Sequence, residues 1–293
     1  MSSRPDRNAP QMNYRHAYHA GNFADVLKHI VLAAIVEHLK GKESAFRLID
    51  SHAGIGVYDL GSVEAQKTGE WRDGIGRLMA AKPPAPVAAV LAPYLDVVRA
   101  LNPDGPLTRY PGSPEIARRL ARKQDRLTLV ELHPDDQATL AARYGGDHQI
   151  KLIELDAWLA MRSFVPPKEK RGAVLIDPAF EDTDEYVHLA SALFKATRRW
   201  SNGTYAAWYP IKTQTTINHF YQMMIDTGIR NILRVELNVG RASTNGPMKS
   251  CGMLIINPPW TLEASLRMAM PWLTKTLAQS SGARHFIDWL VPE

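Results

Sequence analysis

Asp177-Pro-Ala-Phe180 is the stretch of this chain best suited to chemistry. A carboxylate, a proline carbonyl and an aromatic ring follow one another within it. That set suits the exocyclic amine of a heteroaromatic base, whose lone pair is delocalised into the ring and is a poor nucleophile. The Asp177 side chain and the Pro178 carbonyl, accepting from the two N–H bonds, would localise the lone pair toward a methyl donor. Phe180 offers a face for the base to stack on, worth roughly 1–3 kcal/mol. Transfer from a sulfonium is then in line, driven by positioning and charge complementarity, and needs no metal. Read alone, the same residues are also a strand end, a capping aspartate and a core phenylalanine.

The elements around this stretch decide between the two readings. The apolar run 173–176 reads as a buried parallel strand that stops at Asp177. Ligands of open α/β sheets bind outside the carboxyl ends of such strands. Three further runs end in polar groups: 46–49 in Asp50 and His52, 127–130 in Glu131, and 149–155 in Asp156. Gly54 and Gly56 let the chain turn sharply after the first of them and let a ligand come close. This G-x-G lacks the rest of the dinucleotide fingerprint, and no G-K-[ST] phosphate loop follows it. An acid after the second strand suits ribose hydroxyls, and one after the third suits an adenine amino group. The edge therefore suits an adenosine-bearing cofactor.

Strand–helix alternation predicts an α/β fold with a doubly wound parallel sheet. The runs 232–239 and 253–256 predict an antiparallel hairpin at one edge. Residues 60–108, proline-bounded and alanine-rich, read as an inserted helical subdomain of a single domain spanning 12–293, after a disordered lead-in over 1–11. Asn22 caps a helix with apolar positions Val26, Leu27, Ile30, Val31, Ala34 and Ile35, which brings Lys28 and His29 close to the loop containing Tyr14 and His16. By spacing alone His29 is a structural histidine. Ser113-Pro114 starts another helix that continues to Ala121, and Arg118, Arg119, Arg122 and Lys123 read as a solvated face, with a nucleic-acid contact as the alternative. Asn257-Pro-Pro-Trp260 is a second amino-methyltransferase-like stretch, but it ends an antiparallel strand and points away from the cleft. It is expected to close a hairpin and pack Trp260.

Composition sets the outer limits. No apolar run is long enough for a membrane span, and the single Cys251 excludes an internal disulfide framework, a cysteine-rich zinc site and a Pro-Cys nucleophile of the cytosine-C5 type. A cytoplasmic protein is the expectation. A formal charge of +5 favours a polyanionic partner without specifying one.

With these residues in place, the chain resembles the bacterial 23S ribosomal RNA adenine-N6 methyltransferases (large-subunit rRNA methyltransferase J). The likeness rests on Tyr14-Arg-His16, Ala20-Gly-Asn22, Ala24-Asp-Val-Leu-Lys-His29, Asp50 with His52-Ala-Gly54, Tyr110-Pro-Gly-Ser-Pro114, Glu131-Leu-His-Pro134, Trp208-Tyr-Pro210 and Ile256-Asn-Pro-Pro-Trp260. It runs from about residue 12 to the C-terminal Glu293. The resemblance implies a Rossmann-like sheet, S-adenosyl-L-methionine as cofactor, 23S rRNA as partner and a monomeric enzyme. It implies cofactor contacts at His29, His52, Ser113, Glu131, Asp156, Ala157 and Asp177, with Asp177 catalytic. It also implies that Tyr14, His16 and Lys28 serve the RNA. The chain departs from the family motif Asp-Pro-Pro-Tyr in having Ala179 and Phe180. Phe180 keeps the ring, whereas Ala179 removes a rigid residue and loosens the turn by on the order of 0.4–1 kcal/mol. A binding-only RNA-binding relative and a DNA adenine methyltransferase are the alternatives, the latter lacking a spare segment for sequence reading.

Overall fold

The computed structural model describes residues 15–182, 184–243 and 246–293. The lead-in over 1–11 and Tyr14 lie outside the described residues. In chain order the elements are α1 (Phe23–Lys40), β1 (Arg47–Asp50), β2 (Val57–Asp59), α2 (Val63–Thr68), α3 (Arg77–Ala80), α4 (Ala85–Leu101), β3 (Arg109–Pro111) and α5 (Ser113–Leu120). They continue with β4 (Arg126–Glu131), α6 (Pro134–Tyr144), β5 (Ile150–Glu154), α7 (Ala157–Phe164), β6 (Gly172–Ile176), α8 (Glu185–Arg199), β7 (Thr204–Pro210) and α9 (Gln214–Asp226). β8 (Ile232–Asn238), β9 (Ser250–Ile256), α10 (Leu262–Leu277) and β10 (Arg284–Val291) complete the chain.

The main sheet has the order β10-β8-β9-β7-β6-β1-β4-β5. Strands β5, β4, β1, β6 and β7 are mutually parallel, and β9 runs antiparallel to both β7 and β8. This is a Rossmann-like α/β sheet. One expectation needs correcting. The 232–256 hairpin is not the sheet's edge, because β10 pairs antiparallel with β8 outside it. Nor does β8 lie next to β7, because β9 threads between them.

Strand alternation divides the core in two. On β6, Ala173 and Leu175 join α1, α4, α5 and α10 on one face, while Val174 and Ile176 join α8 and α9 on the other. A strand covered on both faces carries no polar side chain until it leaves the sheet, which is why 172–176 is apolar and Asp177 follows at once. Within 60–108, α4 packs against α1 and α10, and the antiparallel β2–β3 ribbon brings the chain back to the sheet.

Three of the four basic side chains read as a solvated face are paired: Arg118 with Asp147, Arg119 with Glu115 and Arg122 with Asp125. Among the described residues no helix is long and apolar enough to cross a membrane.

Candidate active site

Because β1, β4 and β6 are parallel, Asp50, Glu131 and Asp177 leave the sheet at the same edge. A cavity opens there, lined by His52, Gly54, Ser113, Glu131, His133 and Asp177. Glu131 is fixed by the chain around it: its carboxylate accepts the Gly54 N–H at 2.8 Å and the His133 N–H at 2.8 Å. Gly54 has φ +60 and a Cβ there would collide with the Tyr58 hydroxyl, so the turn after β1 needs glycine. His52 sits in the floor, with Nδ1 2.9 Å from the Ser51 hydroxyl and 3.3 Å from the Asp177 nitrogen. Burial pushes the His52 imidazole down to about 4. Asp50 is wholly buried behind it, and burial pushes its carboxyl up to about 6.

Asp177 also receives a cation from the opposite wall. Asn22 caps α1 with its side chain, accepting from the Ala24 and Asp25 N–H groups at 2.9 and 3.0 Å. One turn on, the Lys28 ammonium bonds the Asp177 carboxylate and also lies 2.7 Å from Asp25. Asp25 in turn takes the His16 ring at 2.9 Å and the Gly21 N–H at 2.8 Å. Burial opposes the charge on Lys28, but Asp177 and Asp25 outweigh it and hold the ammonium well above its ordinary range. Burial likewise opposes the charge on Asp25, and His16 and Lys28 reverse the balance and lower it well below the usual carboxylate range. Two carboxylates face one ammonium, so the cluster carries excess negative charge before His16 is counted.

On the far side of Asp177 lies a second cavity, lined by His19, Glu70, Phe180, Trp208, Lys212 and Met248 among others. The two cavities share four residues: His16, Lys28, Asp177 and Ala179. Glu70, from the 60–108 segment, accepts from His19 at 3.1 Å and from Asn22 at 3.0 Å, so this segment forms part of the wall.

The stacking face expected of Phe180 is not open. Its backbone is left-handed, with φ +52, and this turns the ring back toward α8. There it packs 4.7 Å from Tyr186 and 5.8 Å from Trp208 and is 4% exposed. Pro178 is also buried.

The remaining sequence-derived residues divide by position. His52, Ser113, Glu131 and Asp177 line the first cavity, as do His16 and Lys28. His29, Asp156 and Ala157 do not line it. His29 is buried against Tyr110, whose hydroxyl is 2.6 Å from Nδ1, and burial pushes the imidazole down to about 3. Asp156 caps α7 by accepting the Leu159 N–H at 2.9 Å, and Ala157 opens that helix in the core. Asp25 and Trp208 stand in stretches that carry the family likeness but were given no role from the sequence, and Glu70 and Lys212 were not singled out at all.

Asn257-Pro-Pro-Trp260 lies at the opposite edge, as the antiparallel direction of β9 requires. It does not close a hairpin or pack Trp260. The stretch leads into α10, and Trp260 is 85% exposed.

A ligand carrying hydrogen-bonding groups fits the first cavity on the structure's own terms. The buried Nδ1 of His133, which lines it, and Oδ2 of Asp50, behind it, have no partner among the described residues. Buried polar atoms of this kind are normally satisfied.

The family model for ribosomal RNA large subunit methyltransferase D, RlmJ, matches residues 43–291. The chain is 41% identical over 283 residues to the Haemophilus influenzae protein named ribosomal RNA large subunit methyltransferase J, covering 96% of this chain and all of that one. It is 40% identical to the Escherichia coli protein of the same name, again over 96% of this chain and all of that one. The crystal structure of protein LPL1258 from Legionella pneumophila superposes with a TM-score of 0.84 at 31% identity, covering 92% of this chain and 98% of that one. With sequence match, fold and cleft in agreement, the chain belongs to the ribosomal RNA large subunit methyltransferase J family.

Proposed function

We propose that this protein methylates the N6 amino group of an adenine in 23S rRNA, with S-adenosyl-L-methionine as the methyl donor. The observation that carries the reading is the meeting of two cavities at Asp177, one on each side of the same carboxylate. One cavity takes the donor and the other takes the base. When bound, the donor supplies an electrophilic methyl group on a sulfonium.

The rest of the work falls to the chain. Glu131 and Ser113 hold the nucleoside part of the donor, with His52 beneath Asp177. Asp177 accepts from the target amine and localises its lone pair. Lys28 fixes the direction of the Asp177 carboxylate through a charge-assisted bond, so little reorientation accompanies the reaction. The Asp177 carboxylate complements the positive charge that develops on the amine nitrogen. Trp208 and Met248 give the second cavity apolar walls suited to a base.

Labelled S-adenosyl-L-methionine, protein-free 23S rRNA and nucleoside analysis of the product test the reading, with DNA of matching sequence as control. N6-methyladenosine in the RNA alone is the expected product. A different methylated nucleoside, or transfer to DNA alone, overturns it.

A further inference from the structure

Lys212 lies two residues beyond the end of β7 and lines the second cavity beside Ala179 and Phe180. Its ammonium donates to the Phe180 carbonyl at 3.0 Å. Among the described residues it has no carboxylate partner. Phe180 needs holding, because φ +52 is an unfavourable conformation for a bulky L-residue and persists only where the surroundings enforce it. The ring is held by Tyr186 and Trp208. Tyr186 is itself tied to β7, its hydroxyl donating to the Pro210 carbonyl at 2.7 Å. The peptide after Phe180 is held by Lys212. The residue before it, Ala179, has no ring to fix its own φ, unlike the proline that stands there in the motif this stretch resembles.

We propose that Lys212 is a positioning residue. It clamps the Phe180 carbonyl and thereby keeps the Asp-Pro-Ala-Phe turn aimed at the acceptor, supplying the constraint that Ala179 does not. The role in catalysis rests on the proposed adenine methylation, whereas the clamp itself is read separately.

The test uses the full chain with Lys212→Met, Lys212→Arg, Ala179→Pro and the double variant Lys212→Met/Ala179→Pro. Hydrogen exchange over residues 177–182 should quicken about tenfold or more in Lys212→Met, as local opening becomes easier. On 23S rRNA the same variant should lose about 10- to 100-fold in kcat, the scale of a small misplacement of reacting groups, with cofactor affinity unchanged. Lys212→Arg should keep most of kcat. Ala179→Pro should restore kcat and slow exchange in the Lys212→Met background.

Unchanged exchange overturns the proposal. So does a rise in KM with kcat intact, which would make Lys212 an RNA contact. Equal losses in kcat on Lys212→Met with and without the Ala179→Pro substitution also overturn it. Quickened exchange in a protein that methylates no adenine keeps the clamp and rejects the proposed function instead.

Discussion

Two ends of the same sheet carry four-residue stretches of the same pattern, a short polar residue, a proline and a closing aromatic, and do opposite things with it. Asp177-Pro-Ala-Phe180 follows β6, and Asn257-Pro-Pro-Trp260 follows β9. Each bends through a left-handed residue, Phe180 at φ +52 and Asn257 at φ +50. At Asn257 the side-chain NH2, the carbonyl and the backbone N–H are all used by the fold. Its side chain donates to the Ser201 and Gly203 carbonyls at 2.8 Å each, its carbonyl accepts the Thr204 hydroxyl at 2.9 Å, and its N–H reaches the Asn231 carbonyl at 3.0 Å. At Asp177 the carboxylate faces two cavities and is met by a lysine from another element. The aromatic residues differ in the converse sense, Phe180 being buried and Trp260 exposed. Motif text therefore matters less than strand direction, which decides whether the polar groups meet a cavity or finish a turn.

The widest separation between the two ends should appear in turnover. Asp177→Ala should lower kcat by about 10³-fold or more, on the order of 4 kcal/mol in transition-state stabilisation, while the variant stays folded by circular dichroism. Activity within tenfold of the parent would move the catalytic site elsewhere. Next in size, Lys28→Met should destabilise the fold by about 3–5 kcal/mol in urea, because it removes the buried ammonium beside Asp25 and leaves that carboxylate only the His16 ring and the Gly21 N–H. A loss under 1 kcal/mol would mean that water or His16 neutralises Asp25 without the lysine.

At the other end, Asn257→Gly keeps the left-handed backbone and removes only the side-chain bonds. It should cost about 1–3 kcal/mol of stability and leave kcat unchanged. A fall in kcat comparable with that of Asp177→Ala would break the distinction between the two ends.

The sequence revealed the parts of the site that sit at strand ends. Parallel β1, β4 and β6 place Asp50, Glu131 and Asp177 at one edge, and a run of apolar residues closed by an acid advertises that arrangement in one dimension. It did not reveal the partners delivered from elsewhere. Lys212 and Glu70 reach the second cavity from the turn after β7 and from the 60–108 segment, and nothing in their neighbours' identities marks them. His29 shows a different limit: its place in a motif implied a ligand contact, yet helix rotation buries it against Tyr110. In the fold, β10 went unread. Its sequence, Arg-His-Phe-Ile-Asp-Trp-Leu-Val, mixes charge with apolar residues as an edge strand does, so it carries no clean core signal.

The position of β9 between β7 and β8 has a consequence for the order in which the chain can assemble. As the chain leaves the ribosome, β8 emerges before its only routes into the sheet, β9 and β10, have been synthesised. The parallel half from β5 to β7 can close first, but β7 then presents an open edge until residues near 250 arrive. During that interval β7 has one open edge and β8 has no strand partner, a state prone to pairing with other chains. A chain halted within the β8–β9 connection would be caught in that state, so synthesis through β9 is the step at which the nascent protein gains most protection from aggregation.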